Sequence, residues 1–130
     1  MRLHRPNVVI QDKGREADEF VLIVTGCVEL FSKAQNKFMV LPVDSIFNDY
    51  NLLFNLKSNI EYKSFSPEFV SEAQQQSDEL KTMTMNLDAD KFHELITLYP
   101  ETAENLKLRA LEKRSIFMYY KNKADNKHIK

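Results

Sequence analysis

Short apolar, β-rich runs broken by turn signals fill the first third of the chain, the pattern of successive β-strands. The runs NVVI, EFVLIV, CVELF and KFMVL carry this pattern, and DKGREAD, TG and SKAQN supply turns between them. In DEFVLIVTG the side chains of Phe20, Leu22 and Val24 share one face and those of Val21 and Ile23 the other. A strand apolar on both sides belongs at the centre of the fold with both faces covered. Downstream, IEYKSF alternates from Ile60 to Phe65, and LKTMTMNL places Met83, Met85 and Leu87 on one face and Thr82 and Thr84 on the other. The β-rich part then amounts to roughly six to eight strands.

Between those last two runs, SPEFVSEAQQQSDE is polar and Gln-rich, which predicts a solvent-exposed insertion over 66–79. At Asp88 the period becomes helical. DADKFHELITLYP sets Phe92, Leu95, Ile96 and Tyr99 on one side, with Asp88 as N-cap and acids near the positive end of the dipole. Pro100 stops this helix and suits the first turn of the next. There Ala103, Leu106, Ala110 and Phe117 form one stripe, with Leu108, Leu111, Ser115 and Met118 beside it. Tyr119 and Tyr120 follow and are expected to dock on the strands. The charged segment KNKADNKHIK predicts a frayed tail or linker over 121–130.

Strands first and helices last give an α+β domain. Its simplest form is an antiparallel β-roll, jelly-roll-like, over 6–65 and 80–87, with helices over 88–120 docked on it. The length of 130 residues fits one such domain, and 43% apolar residues suffice for its core.

Composition narrows the chemistry. Eighteen Lys and Arg nearly balance nineteen Asp and Glu, so no global field recruits nucleic acid. Cys27 is the single cysteine, which excludes an internal disulfide and reads as a small hydrophobe in a reducing compartment. No apolar run reaches the roughly 20 residues of a membrane helix, so no direct insertion into a bilayer is expected. Two glycines, Gly14 and Gly26, are too few for a glycine-rich nucleotide loop. His4, His93 and His128 are too dispersed to hold a metal. No carboxylate pair in an apolar setting and no nucleophile with a base is apparent, so an enzyme is not expected. The bases Lys107, Arg109, Lys113, Arg114 and Lys121 interleave with Glu101, Glu104 and Glu112, the pattern of a solvated face laced with ion pairs.

Three segments in order resemble cyclic-nucleotide-binding domains, over Pro6 to about Tyr120. RPNVVIQDKGREADEFVLIVTGCVELF is similar to the family's opening strands, and SIFNDYNLLFNLKSNIEYKS to its phosphate-binding cassette. FHELITLYPETAENLKLRALEKR is similar to its hinge and lid helices. Within the family, the cassette and last helix most resemble the C-terminal cytoplasmic domains of voltage-gated potassium and cation channels, of the ether-à-go-go and hyperpolarisation-activated type, perhaps ciliate ones. The fold implied is a β-roll of the double-stranded β-helix kind with a hinge helix and a lid helix. Little room precedes Pro6 for the family's N-terminal helix and first strand.

The resemblance implies a cassette over 45–59 with Phe47, Asn48, Asp49, Leu52, Leu53, Ser58 and Asn59 as ligand-binding positions, and Leu106, Ala110 and Arg114 on the lid helix. In the family's pattern helix-start amides cradle a cyclic phosphate, a Glu accepts from the ribose, and an Arg neutralises the phosphate. Here Asn48 stands in the Gly position, the shorter Asp49 in the Glu position, Ser58 in the Arg position and Asn59 in that of the following hydroxyl residue. Lys57 is one residue out of register and Lys63 lies in a predicted strand. Losing the charge-assisted bond, roughly 1.5–3 kcal/mol, predicts binding of cyclic AMP or cyclic GMP that is weak or lost. The function implied is a non-catalytic, cytoplasmic regulatory domain of a tetrameric channel, modulating gating through lid-helix movement. The alternative is a ligand-free interaction module of a soluble signalling or cytoskeletal protein. A transcription regulator is disfavoured because no helix-turn-helix follows the lid helix.

Overall fold

The structure, a computed structural model, describes residues 1–65 and 81–127. The insertion expected over 66–79 lies outside the described residues, as does His128. The elements run β1 (Arg2–His4), β2 (Val9–Gln11), β3 (Glu19–Thr25), β4 (Val28–Phe31), β5 (Lys37–Leu41) and β6 (Ile46–Phe47). Then come α1 (Asp49–Phe54), β7 (Glu61–Ser64), β8 (Thr82–Asp88), α2 (Ala89–Leu98) and α3 (Pro100–Asn126). The mixed α+β class is as the sequence predicts. Strand β1 is an addition, because a strand forms ahead of Pro6 by pairing Arg2, Leu3 and His4 with Thr84, Met83 and Thr82.

Two four-stranded antiparallel sheets result, ordered β1-β8-β3-β6 and β2-β7-β4-β5. They do not close into one barrel. Their inner faces share one core of Val21, Ile23, Val28, Leu30, Leu41, Phe47, Ile60 and Tyr62, to which α3 contributes Phe117. Strand β3 lies inside its sheet between β8 and β6, as its two-sided pattern requires. Val21 and Ile23 enter the core, while Phe20 on the opposite face stacks on Phe92 of α2 with ring centroids 5.0 Å apart. The turn from β3 to β4 depends on Gly26, with φ of 78°, where a Cβ would fall 2.7 Å from Thr82 Oγ1.

Strand β8 turns its threonines inward and leaves Met85 exposed. The buried hydroxyls are satisfied: Thr82 donates to the Cys27 carbonyl at 3.0 Å and Thr84 to Asn86 Oδ1 at 2.6 Å. Helix α2 starts as the sequence indicates, with Asp88 Oδ1 accepting from the Lys91 N–H at 2.8 Å. Tyr99 separates it from α3, and Pro100 occupies the first turn.

Helix α3 runs on to Asn126, correcting the tail expected from residue 121. Its last turns are tied to the β4–β5 hairpin, because Ser32 Oγ and Asn36 Nδ2 donate to Asp125 Oδ1 at 2.6 and 2.9 Å. Tyr119 and Tyr120 stay exposed on this helix, in edge-to-face contact with each other.

Candidate functional site: the cassette under the last helix

Two asparagines in left-handed conformation delimit α1: Asn48 with φ of 69° and Asn55 with φ of 53°. Among L-residues with a side chain, asparagine is one of the few that enters this region routinely, which suits it to both positions. Its Nδ2 donates to Gln11 Oε1 at 3.1 Å and to the Glu19 carbonyl at 2.9 Å, so the cassette is fastened to β2 and β3.

The other residues of 45–59 divide between the core and contacts with α2 and α3. Phe47 is fully buried and stacks on Tyr62 with centroids 4.4 Å apart, joining the two sheets. Leu52 is buried and Leu53 half-buried. The Leu52 carbonyl accepts from His93 Nε2 at 3.1 Å, which links α1 to α2 and places His93 off the free polar side of its helix. Asp49 does not cap α1; its carboxylate is buried and meets Lys113 Nζ at 2.8 Å. The same ammonium donates to the Ile46 carbonyl at 2.9 Å.

Ser58 is buried and neutral, its Oγ donating to the Ile60 carbonyl at 2.6 Å. Asn59 Oδ1 accepts from Arg114 Nη1 at 3.0 Å, and that guanidinium also lies 4.7 Å from the centre of the Tyr50 ring. Neither Lys57 nor Lys63 brings a charge to Ser58. Lys57 is exposed, and Lys63 pairs with Glu61 at 3.3 Å while lying over the Phe31 ring.

Cations therefore reach the cassette from α3. Lys113 and Arg114 do not form part of a solvated stripe; they lie between Ala110 and Phe117, both buried, on the face that packs against the core. On α3 itself Ala110 is fully buried and Leu106 half-buried, in line with the predicted stripe, whereas Leu108 and Leu111 are exposed.

Electrostatics around the site reflect this closure. Burial first, and the Asp49 carboxylate second, hold the Tyr62 hydroxyl well above its ordinary range, with Arg114 acting in the opposite sense. Burial likewise raises the Cys27 thiol, reinforced by Glu29.

Asn48 also lines a cavity of about 220 Å3 with Arg2, His4, Gln11, Glu19 and Asn86. Arg2 and Glu19 are bonded to each other there, and His4 Nε2 bonds Thr84 Oγ1 at 2.9 Å. Among the described residues no three His, Cys, Asp or Glu side chains gather as a metal would need, and no helix is long and apolar enough to cross a membrane.

No family model matches the sequence, and no curated protein matches it.

Proposed function

We propose that the chain is a non-catalytic regulatory domain of the cyclic-nucleotide-binding type with a jelly-roll-like β-roll, from the cytoplasmic C-terminus of a voltage-gated potassium or cation channel. Cyclic nucleotide binding is weak or lost in it. The observation that carries this reading is the Asp49–Lys113 pair: the carboxylate in the ribose-binding register is held at 2.8 Å by an ammonium of the last helix. Two further features support it. The left-handed backbone at Asn48 is one that glycine adopts readily, and Ser58 leaves the phosphate-neutralising position uncharged.

The mechanism is mechanical. Lys113 and Arg114 latch α3 onto the cassette, and the Tyr99–Pro100 junction is the point at which α3 swings. A gate coupled to α3 shifts by the free-energy difference between latched and released positions. In the channels that the sequence resembles, four such domains assemble round the pore, and the same assembly is proposed here.

Calorimetric titration with cyclic AMP and cyclic GMP at millimolar concentration tests the ligand part. The expected result is no saturable heat with the native chain. Saturable heat with a micromolar dissociation constant refutes the silent cassette. The channel part is tested by the coding sequence upstream of Met1, where several apolar spans with a repeated Arg segment are expected.

A second reading, a ligand-free interaction module, draws on the exposed apolar residues of α3.

A further inference from the structure

Among the described residues, two buried side-chain polar atoms find no hydrogen-bond partner in the protein, Asn48 Oδ1 and Asn86 Nδ2. Both residues line the cavity of about 220 Å3 beside β1, and Asn48 is only 3% exposed. A buried donor or acceptor without a partner is disfavoured, and two of opposite kind at one cavity call for a bound molecule that offers the complementary pair. The Asn48 amide has one orientation. Its Nδ2 faces two acceptors, the Glu19 carbonyl and Gln11 Oε1, and Gln11 is itself fixed by donating from Nε2 to the Asp12 carbonyl at 3.1 Å. Its free atom is therefore an acceptor. Asn86 Oδ1 accepts from Thr84, which leaves a donor.

The two amides flank β3. Val21 has Asn86 of β8 as its partner on one side and Phe47, the neighbour of Asn48, on the other. Their backbones thus stand two strand spacings apart, roughly 10 Å. The asparagine side chains narrow that gap to what one planar group spans when it carries an N–H beside a carbonyl. The rest of the lining sets size and charge. Val9, Ile10 and Val21 supply an apolar wall. Arg2 and Glu19 satisfy each other, and Asp18 adds a second carboxylate. Burial first and the Arg2 charge second hold His4 below its ordinary pKa of 6.5, so it is neutral at pH 7. With one cation against two carboxylates, the cavity disfavours an anion. Its volume lies below the roughly 300 Å3 at which drug-sized sites begin, so it suits a small solute.

We infer that this cavity is a binding site for a small neutral primary carboxamide, whose N–H donates to Asn48 Oδ1 and whose carbonyl accepts from Asn86 Nδ2, with its apolar part against Ile10 and Val21. A carboxylate of the same shape is rejected, because it has no hydrogen for Asn48 Oδ1 and its charge meets Asp18 and Glu19. The site is separate from the phosphate register of the cassette. Asp49, Ser58 and Asn59 do not line it; Asp49 and Asn59 meet α3, and Ser58 bonds its own segment. It stands whether or not the channel reading does.

Nitrogen-detected NMR titration of the full chain with propionamide and nicotinamide tests the inference, with propionate and nicotinate as the matched acids. Saturable shifts of the Asn48 and Asn86 side-chain amides are expected with one or both carboxamides and with neither acid. For solutes of about five to nine non-hydrogen atoms the dissociation constant is expected to be roughly millimolar. Asn86→Asp keeps the shape and an acceptor for Thr84 but replaces the free donor with an acceptor. It is expected to weaken carboxamide binding at least tenfold in a chain that still melts cooperatively. The comparison of amide with acid is made on the native chain and decides even where the variant does not fold. Silence with both carboxamides, which means that water alone answers the two atoms, overturns the inference. So do acids that shift the same signals equally, or carboxamide binding unchanged in a folded Asn86→Asp chain.

Discussion

Replacing Lys113 by Met removes the cation from the cassette and leaves the Asp49 carboxylate where it is. The Asp49 side chain is 4% exposed and that of Lys113 26%. Breaking a fully buried pair costs about 3–5 kcal/mol, and an exposed pair contributes at most about 1 kcal/mol. Water reaches the ammonium but barely the carboxylate, so an intermediate loss of about 2–3 kcal/mol is expected, including the orphaned Ile46 carbonyl. For a domain of this size that is a fall in melting temperature of roughly 6–12 °C. Urea melts of the native chain, Lys113→Met, Asp49→Asn and the double variant provide the measurement. The Asp49→Asn change neutralises the group that Lys113 faces, so the double variant is expected to be more stable than the two losses summed, by about 1–2 kcal/mol. Hydrogen exchange in α3 near Ala110 should quicken in Lys113→Met, since a latch holds this helix down. A Lys113→Met variant within about 0.5 kcal/mol of the native chain, with additive losses, refutes the latch.

Three other outcomes follow from packing and titration. Phe117→Ala deletes the one ring that α3 contributes to the central core and should cost about 3–5 kcal/mol in a urea melt. Gly26→Ala should destabilise more than Gly14→Ala; both have φ of 78°, but only at Gly26 does the new Cβ strike Thr82, and about 1–2 kcal/mol of backbone strain is common to the two. The third concerns His4, whose pKa is held below 6.5 by burial first and by the Arg2 charge second, with Glu19 opposing. The unfolded chain therefore takes up the proton more readily than the folded one, so stability is full above about pH 6.5 and declines as the pH falls through the folded value. Melts in that range should show a shallower decline for His4→Gln.

Much of the architecture was legible in the order of periods along the chain. The two-sided pattern of Phe20 to Val24 requires an interior strand, and β3 is one because its outer face meets Phe92. Asp88 and Pro100 mark the starts of α2 and α3 by local chemistry, a side-chain cap and a missing N–H, and both act where they stand. The end of α3 was not legible. KNKADNKHIK has no apolar stripe, and it is helical as far as Asn126 because Asp125 finds Ser32 and Asn36, partners far away in sequence.

The site divides in the same way. That Ser58 brings no charge to the cassette follows from residue identity alone. Which cation arrives instead depends on how α3 lies across α1. Interleaved acids gave Lys113 and Arg114 the look of a solvated stripe, and only their position between Ala110 and Phe117 turns them inward. For β8 the alternation was clear in sequence, but not which side faces in. Close approach at Gly26 and acceptors for both hydroxyls draw Thr82 and Thr84 inward and leave Met85 in water. By itself the sequence determined where β3, α2 and α3 begin and which residues share a face, because capping, turns and periodicity act over a few residues. Tertiary structure decided which face is buried and which distant charges meet, because desolvation and ion pairing depend on what the rest of the chain brings alongside.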